Sequence, residues 1–438
     1  MLEPNGKREL IWQIFCQNTI LSKKKKHEKF AKRTDYFDYM DGFRGFCSAT
    51  VIIGHYLGVN SLQGDYRIFY GLGHEIGVMG FFVMSSFLLT YLFVKELVKT
   101  LEKHRECLSA RNSLKIFFKL ATKYAIKRFF RIYVPLLVFI MMYWARNVIG
   151  FDVMGPWYQD KLSYFKMITL NDFSHTHLWT LSVQCRYYAI IPFMCFIVVK
   201  LKRIAAITIL SMASFVLLNE KHNFTQTNGF NTFEQRQLMG TYFTMLLSGS
   251  IAAFFCHFYS NSIKQRGVDF QKPATNRIVT ILFYLFAIFY MYNYANCWHQ
   301  YELTYERLVK CFFGIERPKL VFHVQSGVLM SCAFVAAYFT APNGFTNWFR
   351  DSSLLKYFGK YGYSVYLFHG LAIVCAVQLG EFNTNMEAIL AVFLFTFLFG
   401  FIYYYLVENP FMNIGTILAA KVDNIQCLRV ENYGILNV

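Results

Sequence analysis

Charge is scarce in this chain. Of its 438 residues only 16% are Asp, Glu, Lys or Arg, where soluble domains carry about 25%. That deficit argues against the several soluble domains its length would permit. Acidic residues are the scarcer sign, 26 against 44 Lys and Arg. Proline is rare, with 8 in all, mostly at the edges of apolar blocks, as at Pro135, Pro192 and Pro410. The 11 cysteines include no CxxC pair and no paired Cys/His spacing, so no metal site is expected. Most lie within apolar runs, where Cys acts as a small hydrophobe. Cys297 and Cys311 share one expected external loop, and their pairing stays open. The paired, Gly/Pro-broken spans that mark transporter repeats are also missing.

What the chain has is apolar bulk: 55% hydrophobic residues, with 48 Phe and 30 Tyr, gathered in long blocks. A helix needs about 20 mostly apolar residues to cross the hydrocarbon. The expected fold is therefore all-α and polytopic, with spans over 43–60, 76–94, 130–149, 180–199, 203–218, 238–259, 277–296, 320–340, 362–380 and 386–407. Ten spans put both termini on one side. With the N-terminus inside, cytoplasmic segments hold 32 Lys and Arg and external segments 9, which fixes the orientation by the positive-inside rule. The same clustering between apolar blocks turns the net charge of +18 away from nucleic acid. The N-terminal patch IWQIFC is short and precedes KKKKHEKFAKR, unlike a secretory signal. Residues 1–38 are expected as a cytoplasmic basic arm, either a topology signal or a contact for anionic lipid. Residues 39–410 form the membrane domain and 411–438 a cytoplasmic tail. The one N-x-S/T sequon, at Asn223, falls in the third external loop, where glycosylation is possible. The expected location is multi-pass, in the plasma membrane or an endomembrane.

Ionisable side chains inside spans are costly and are functional candidates by default. Arg44 and His55 lead. Eleven residues at about 100° each make three turns plus about 20°, so both lie on nearly one helix face, about 16 Å apart along the axis. Ser48 and Val51 lie between them. Arg44 alone is explained by snorkelling to the interface, and His55 alone by an interhelical hydrogen bond. The shared face favours a functional pair. Neutral imidazole is a suitable base near pH 7 for an attacking hydroxyl, and guanidinium suits a phosphate-bearing donor. Downstream, SHTHLWTLSVQCRYYAIIP carries His175 and His177, Trp179 as an interfacial anchor, and the polar positions Ser182, Gln184 and Arg186. His369 falls within the ninth span. Glu408, two residues before Pro410, is either a plain interfacial charge or a partner for Arg44.

Taken together these pieces resemble the membrane-bound acyltransferase 3 family, over about residues 39–410. Asp41, Gly42, Arg44, Gly45 and His55 match its opening signature. Gly77, Val78, Phe81, Phe82, Val83 and Ser85 match the second-span run, and Arg128, Arg131 and Pro135 the basic entry to the third span. His177, Trp179, Leu181 and Ser182 fit the region that follows. Ser364, Tyr366, Leu367 and His369 fit the ninth span, and Glu408 with Pro410 the ending. The resemblance implies an O-acyltransferase with no bound cofactor, which takes acyl-CoA, acetyl-CoA foremost, from the cytosol. Its acceptor would be a hydroxyl on a carbohydrate or lipid-like molecule. His55 would stand at the reacting centre and Arg44 would hold the donor, with Asp41, Ser85, Arg131 and the later motif residues supporting or binding substrate.

The chain departs from the family pattern at Thr180, Gln184 and Ser86, where Ser, an acid and Gly are usual. The lost carboxylate admits a catalytically weakened member acting as a binding module, since Gln cannot accept a proton at useful pH. A transporter using Arg44 and His55 along a solute path is the third reading.

Overall fold

A computed structural model describes residues 37–59, 67–104, 109–149, 168–170, 178–201, 206–208, 210–211, 241–265, 274, 276–278, 280–281, 285, 318–340, 343–379, 382 and 384–431. Every element among them is helical. The chain opens with α1 (Asp38–Val59) and α2 (Arg67–Lys103). At 37 residues, α2 is about 55 Å long, well beyond a hydrocarbon core of about 30 Å. Near its C-terminal end Glu96 meets Lys123 of α3 (Ala110–Arg128) at 3.8 Å. Ser109 caps α3, its hydroxyl accepting the Asn112 N–H at 3.1 Å, so the stretch expected as a loop holds a helix.

A π turn at Phe129–Tyr133 joins α3 to α4 (Val134–Ile149). A second, at Tyr404–Glu408, joins α11 (Asn385–Tyr403) to α12 (Asn409–Glu431). Each ends one residue short of a proline, Pro135 and Pro410. Proline has no N–H for the carbonyl four residues back, and its ring crowds that carbonyl. The helix answers by widening: the Val134 N–H reaches the Phe129 carbonyl and the Asn409 N–H the Tyr404 carbonyl, each five residues back.

Between these lie α5 (Trp179–Lys200), α6 (Thr241–Gln265), α7 (Pro318–Thr340), the short α8 (Gly344–Asp351) and α9 (Ser353–Lys360), and α10 (Gly362–Leu379). Four stretches are long and apolar enough to cross a membrane: Gly77–Lys103, Trp179–Lys200, Tyr242–Ser260 and Met386–Val422. A fifth arises if α7 and α8 count as one bent span. Of the ten expected spans, the fifth and seventh lie largely outside the described residues. The last expected span does not stop at 407. It runs through the π turn into α12, which packs on α3, so most of the expected tail belongs to the bundle.

The bundle is tied by hydroxyls as well as by apolar contact. Ser250 of α6 bonds Thr90 of α2 at 2.8 Å and Tyr187 of α5 at 2.6 Å, and Ser331 of α7 donates to Ser248 of α6 at 2.9 Å. Within a membrane such bonds average about 0.6 kcal/mol each. Ser86, where the resemblance leads one to expect Gly, is buried on α2. A Cβ on the facing Gly249 of α6 would stand 2.2 Å from its hydroxyl. Close packing between α2 and α6 at this point rests on Gly249.

The tightest approach is between α1 and the α8–α9 pair. Asn343 and Thr346 form a reciprocal capping box that starts α8, and Ser352 caps α9. A Cβ on Gly42 would stand 2.0 Å from the Phe349 carbonyl oxygen, one on Gly45 1.8 Å from that of Leu355, and one on Gly359 1.7 Å from that of Asp41. All three clashes are with backbone, which cannot rotate away. Gly45→Ala and Gly359→Ala are each expected to destabilise the detergent-solubilised protein by about 1–3 kcal/mol through overpacking, read as a lowered Tm. Because both residues sit in one contact, the double variant should fall short of the sum. Full additivity would mean that the two helices do not meet there.

Candidate active site

α1 is unbroken through Arg44 and His55, which therefore mark two levels of the bundle. At the Arg44 level the polar groups are charged. The Arg44 guanidinium donates from Nη1 to Asp41 Oδ1 at 2.7 Å and to the Gly359 carbonyl of α9 at 3.4 Å. Its aliphatic stem runs beside Gly362, where a Cβ would meet Cδ at 3.0 Å. Glu408 is only 2% exposed, too deep for a plain interfacial charge. Its Oε2 accepts the Ser364 hydroxyl at 2.5 Å, and the Ser364 backbone N–H also bonds the carboxylate. The cations within electrostatic reach of Glu408 include Arg131 and Arg44. The two π turns supply this meeting, since one carries Arg131 and the other Glu408.

Arg128 completes a group of three guanidiniums. It lies over the Tyr124 ring at 5.7 Å, and its buried Nε has no hydrogen-bond partner among the described residues. Burial, with the neighbouring Arg131 charge, pushes its pKa down to about 10, although Tyr124 opposes the shift. Tyr188 of α5 faces Arg128 and Arg131, and its hydroxyl donates to Gln184 Oε1 at 3.2 Å. Gln184 thus stands on the arginine group through one tyrosine. Three guanidiniums with two carboxylates, Asp41 and Glu408, leave a positive surplus. Among the described residues this group carries net positive charge, which suits an anion.

At the His55 level the groups are imidazoles and hydroxyls. The His55 and His369 rings meet edge to face, their centroids 5.0 Å apart. Each ring donates Nδ1–H to its own helix, His55 to the Val51 carbonyl at 2.9 Å and His369 to the Tyr366 carbonyl at 2.6 Å. In that tautomer the basic lone pair sits on Nε2 of each ring. The Tyr366 ring lies 5.7 Å from that of His369, and its hydroxyl bonds Thr180 Oγ1 at 2.7 Å. Thr180, a departure from the family pattern, therefore still supplies a hydroxyl.

Other expected site residues lie elsewhere. Ser182 and Arg186 both bond the Leu170 carbonyl, at 2.9 and 3.1 Å. Leu170 has a φ of +58°, uncommon for a β-carbon-bearing residue, and the two side chains hold it there. Their described contacts serve the backbone of 168–170. Trp179 is no exposed interfacial anchor: it packs on Tyr242 at 4.7 Å and Phe82 at 6.1 Å, only 8% exposed. Its flat ring fills the α2–α6 junction. His177 and Asn223 lie outside the described residues. Two features were not read from the sequence, the His55–His369 contact and the role of the prolines. The second had a signal: Arg131 and Glu408 each lie a few residues before a proline inside an apolar run.

The fold is a bundle that includes helices long and apolar enough to cross a membrane, with a group of arginines at one level and an imidazole pair at another. Residues 37–405 match the acyltransferase 3 family model, described as an acyltransferase domain. The chain belongs to this family of membrane acyltransferases. No curated protein and no solved structure matches the chain.

Removing one partner from a buried charge group leaves the rest uncompensated. Glu408→Gln should therefore lower stability by roughly 3 kcal/mol, and Ser364→Ala, which removes a bond to a charged group, by about 1.5–3 kcal/mol. Thermal unfolding in detergent measures both. A neutral result for Glu408→Gln would show that the carboxylate does not balance the arginines.

Proposed function

We propose that the protein moves an acyl group, acetyl foremost, from acyl-CoA to a hydroxyl of a carbohydrate or lipid-like acceptor. One observation carries this reading: the arginine group and the histidine pair occupy the two ends of one face of α1, about 16 Å apart along its axis. A donor with phosphates at one end and a thioester at the end of a long arm fits that separation. Arg44, Arg131 and Arg128 hold the phosphates, and the arm reaches toward His55 and His369. With the basic segments in the cytosol, the donor enters from the side where acyl-CoA is made.

The chemistry follows from the tautomer. His55 Nε2 takes the proton of the acceptor hydroxyl as its oxygen attacks the thioester carbonyl. The C–S bond breaks, the acyl group passes to oxygen as an ester, and the leaving thiolate takes the proton back. His369, in ring contact with His55, is placed to share that proton. An acyl-imidazole on one of the histidines is the alternative course. Gln184 bears on the weakened-member reading. Its bond is to Tyr188 beside the arginines, so the missing carboxylate alters donor charge rather than the described support of His55. A transporter would also use intramembrane Arg and His, but it does not call for an anion cradle paired with two bases.

With labelled acetyl-CoA and purified protein, His55→Ala is expected to abolish His55-dependent thioester loss, by about 100-fold or more, with expression and membrane insertion intact. Solute flux into liposomes without thioester consumption would overturn the enzyme reading. Gln184→Glu adds a negative charge beside Arg128 and Arg131, and should raise KM for the donor while leaving kcat near wild type. A loss confined to kcat would place Gln184 at the reacting centre instead.

A further inference from the structure

The α8–α9 pair keeps an exposed side beyond its contacts with α1, although Trp348 also meets Phe46 edge to face at 6.3 Å. Phe349, Phe358 and Gly359 face the bundle, but Trp348 is 54% exposed, Leu354 68% and Tyr357 55%. The backbone contacts at Gly42 and Gly45 fix these helices against the first turns of α1, at the level where the chain enters the membrane. The two helices connect to the end of α11 through a row of aromatic rings that includes the buried Tyr361. Phe401 contacts Tyr405 at 4.8 Å, Tyr405 contacts Tyr361 at 6.2 Å, and Tyr361 stacks on Tyr357 at 6.5 Å. Basic groups are interleaved. Arg350 pairs with Asp351 at 3.0 Å, which leaves Lys356 and Lys360 as the positive surplus of the pair.

We infer that α8 and α9 form an interfacial platform that binds anionic phospholipid, and that this binding organises the arginine group. An amphipathic helix with Trp and Leu on one side and lysines beside them lies in the headgroup plane. The cytoplasmic leaflet, where positive-inside counting puts this segment, supplies the negative headgroups. The platform touches the charge group from both sides. The Gly359 carbonyl of α9 receives Arg44. The Lys360 ammonium lies over the rings of Tyr361, Tyr404 and Tyr405 at 5.1, 5.8 and 6.0 Å, and the last two belong to the π turn that ends in Glu408. A headgroup that draws α9 into the interface therefore holds Arg44 and the Glu408 turn in register. The catalytic consequence rests on the acyl-transfer reading, but the lipid contact does not.

The test uses the full chain in nanodiscs of phosphatidylcholine alone or with phosphatidylserine. Brominated phosphatidylserine should quench tryptophan emission more than brominated phosphatidylcholine, and the excess should vanish in Trp348→Phe and in Lys356→Gln with Lys360→Gln. Thioester loss from acetyl-CoA should rise several-fold with phosphatidylserine in the wild type. Lys356→Gln should keep the neutral-bilayer rate and lose part of the rise, and the double lysine variant should lose all of it. Equal quenching by both lipids would overturn the proposal, as would a phosphatidylserine effect that survives in the double variant. Excess quenching without thioester loss in any bilayer would retain the lipid site and remove the enzyme reading and the coupling built on it.

Discussion

The charged end of this molecule depends on two helix backbones touching. Between α1 and α9, Gly45 and Gly359 meet so closely that a Cβ on either would stand within 2 Å of a carbonyl oxygen on the other helix. Inside a membrane such approaches draw on van der Waals packing, since lipid is as apolar as leucine. The contact brings the Gly359 carbonyl within reach of Arg44, so one guanidinium has a polar partner on another helix before any substrate arrives. The same approach sets α9 beside the Tyr404–Glu408 turn. The glycines flanking Arg44 thus act on the arginine by deciding what can stand next to it.

Proline does the complementary work. A regular helix through 129–135 or 404–410 would leave a carbonyl without its donor and crowd it with a ring. The widened turns relieve this, and they rotate the residues just before each proline relative to the helix that follows. Arg131 and Glu408 lie in those rotated turns and come within electrostatic reach of each other. A π turn at a functional position is a recurring feature. Here its cause is visible in two prolines of a chain that has few.

How much of this was legible in the sequence varies by element. The apolar blocks located the helices α1, α2, α4 to α7, α10 and α11, of which α2, α5, α6 and α11 hold stretches long and apolar enough to cross a membrane. The helix face shared by Arg44 and His55 followed from residue spacing, and α1 carries both without a break. The α8–α9 pair was not seen, since two eight-residue helices are too short to register against spans. Their caps at Asn343, Thr346 and Ser352 were nonetheless ordinary start signals. The His55–His369 contact could not have been read, because it joins helices far apart in the chain and only packing specifies it. Trp179 misled for a similar reason. Its place at the head of a span matched an interfacial anchor, but tertiary contact with Tyr242 buried it.

The unequal charge of the site is the last point of physics. Three arginines against two carboxylates cost free energy in an environment poor in water. Charged groups in membranes persist where they line an interior or meet a partner. Asp41 and Glu408 balance most of the positive charge, and a neutral amide at Gln184 leaves the remainder in place. A carboxylate there would have neutralised the group within the protein itself. Among the described residues the surplus has no third carboxylate beside it. An anion that met this surplus would stabilise the fold by mass action.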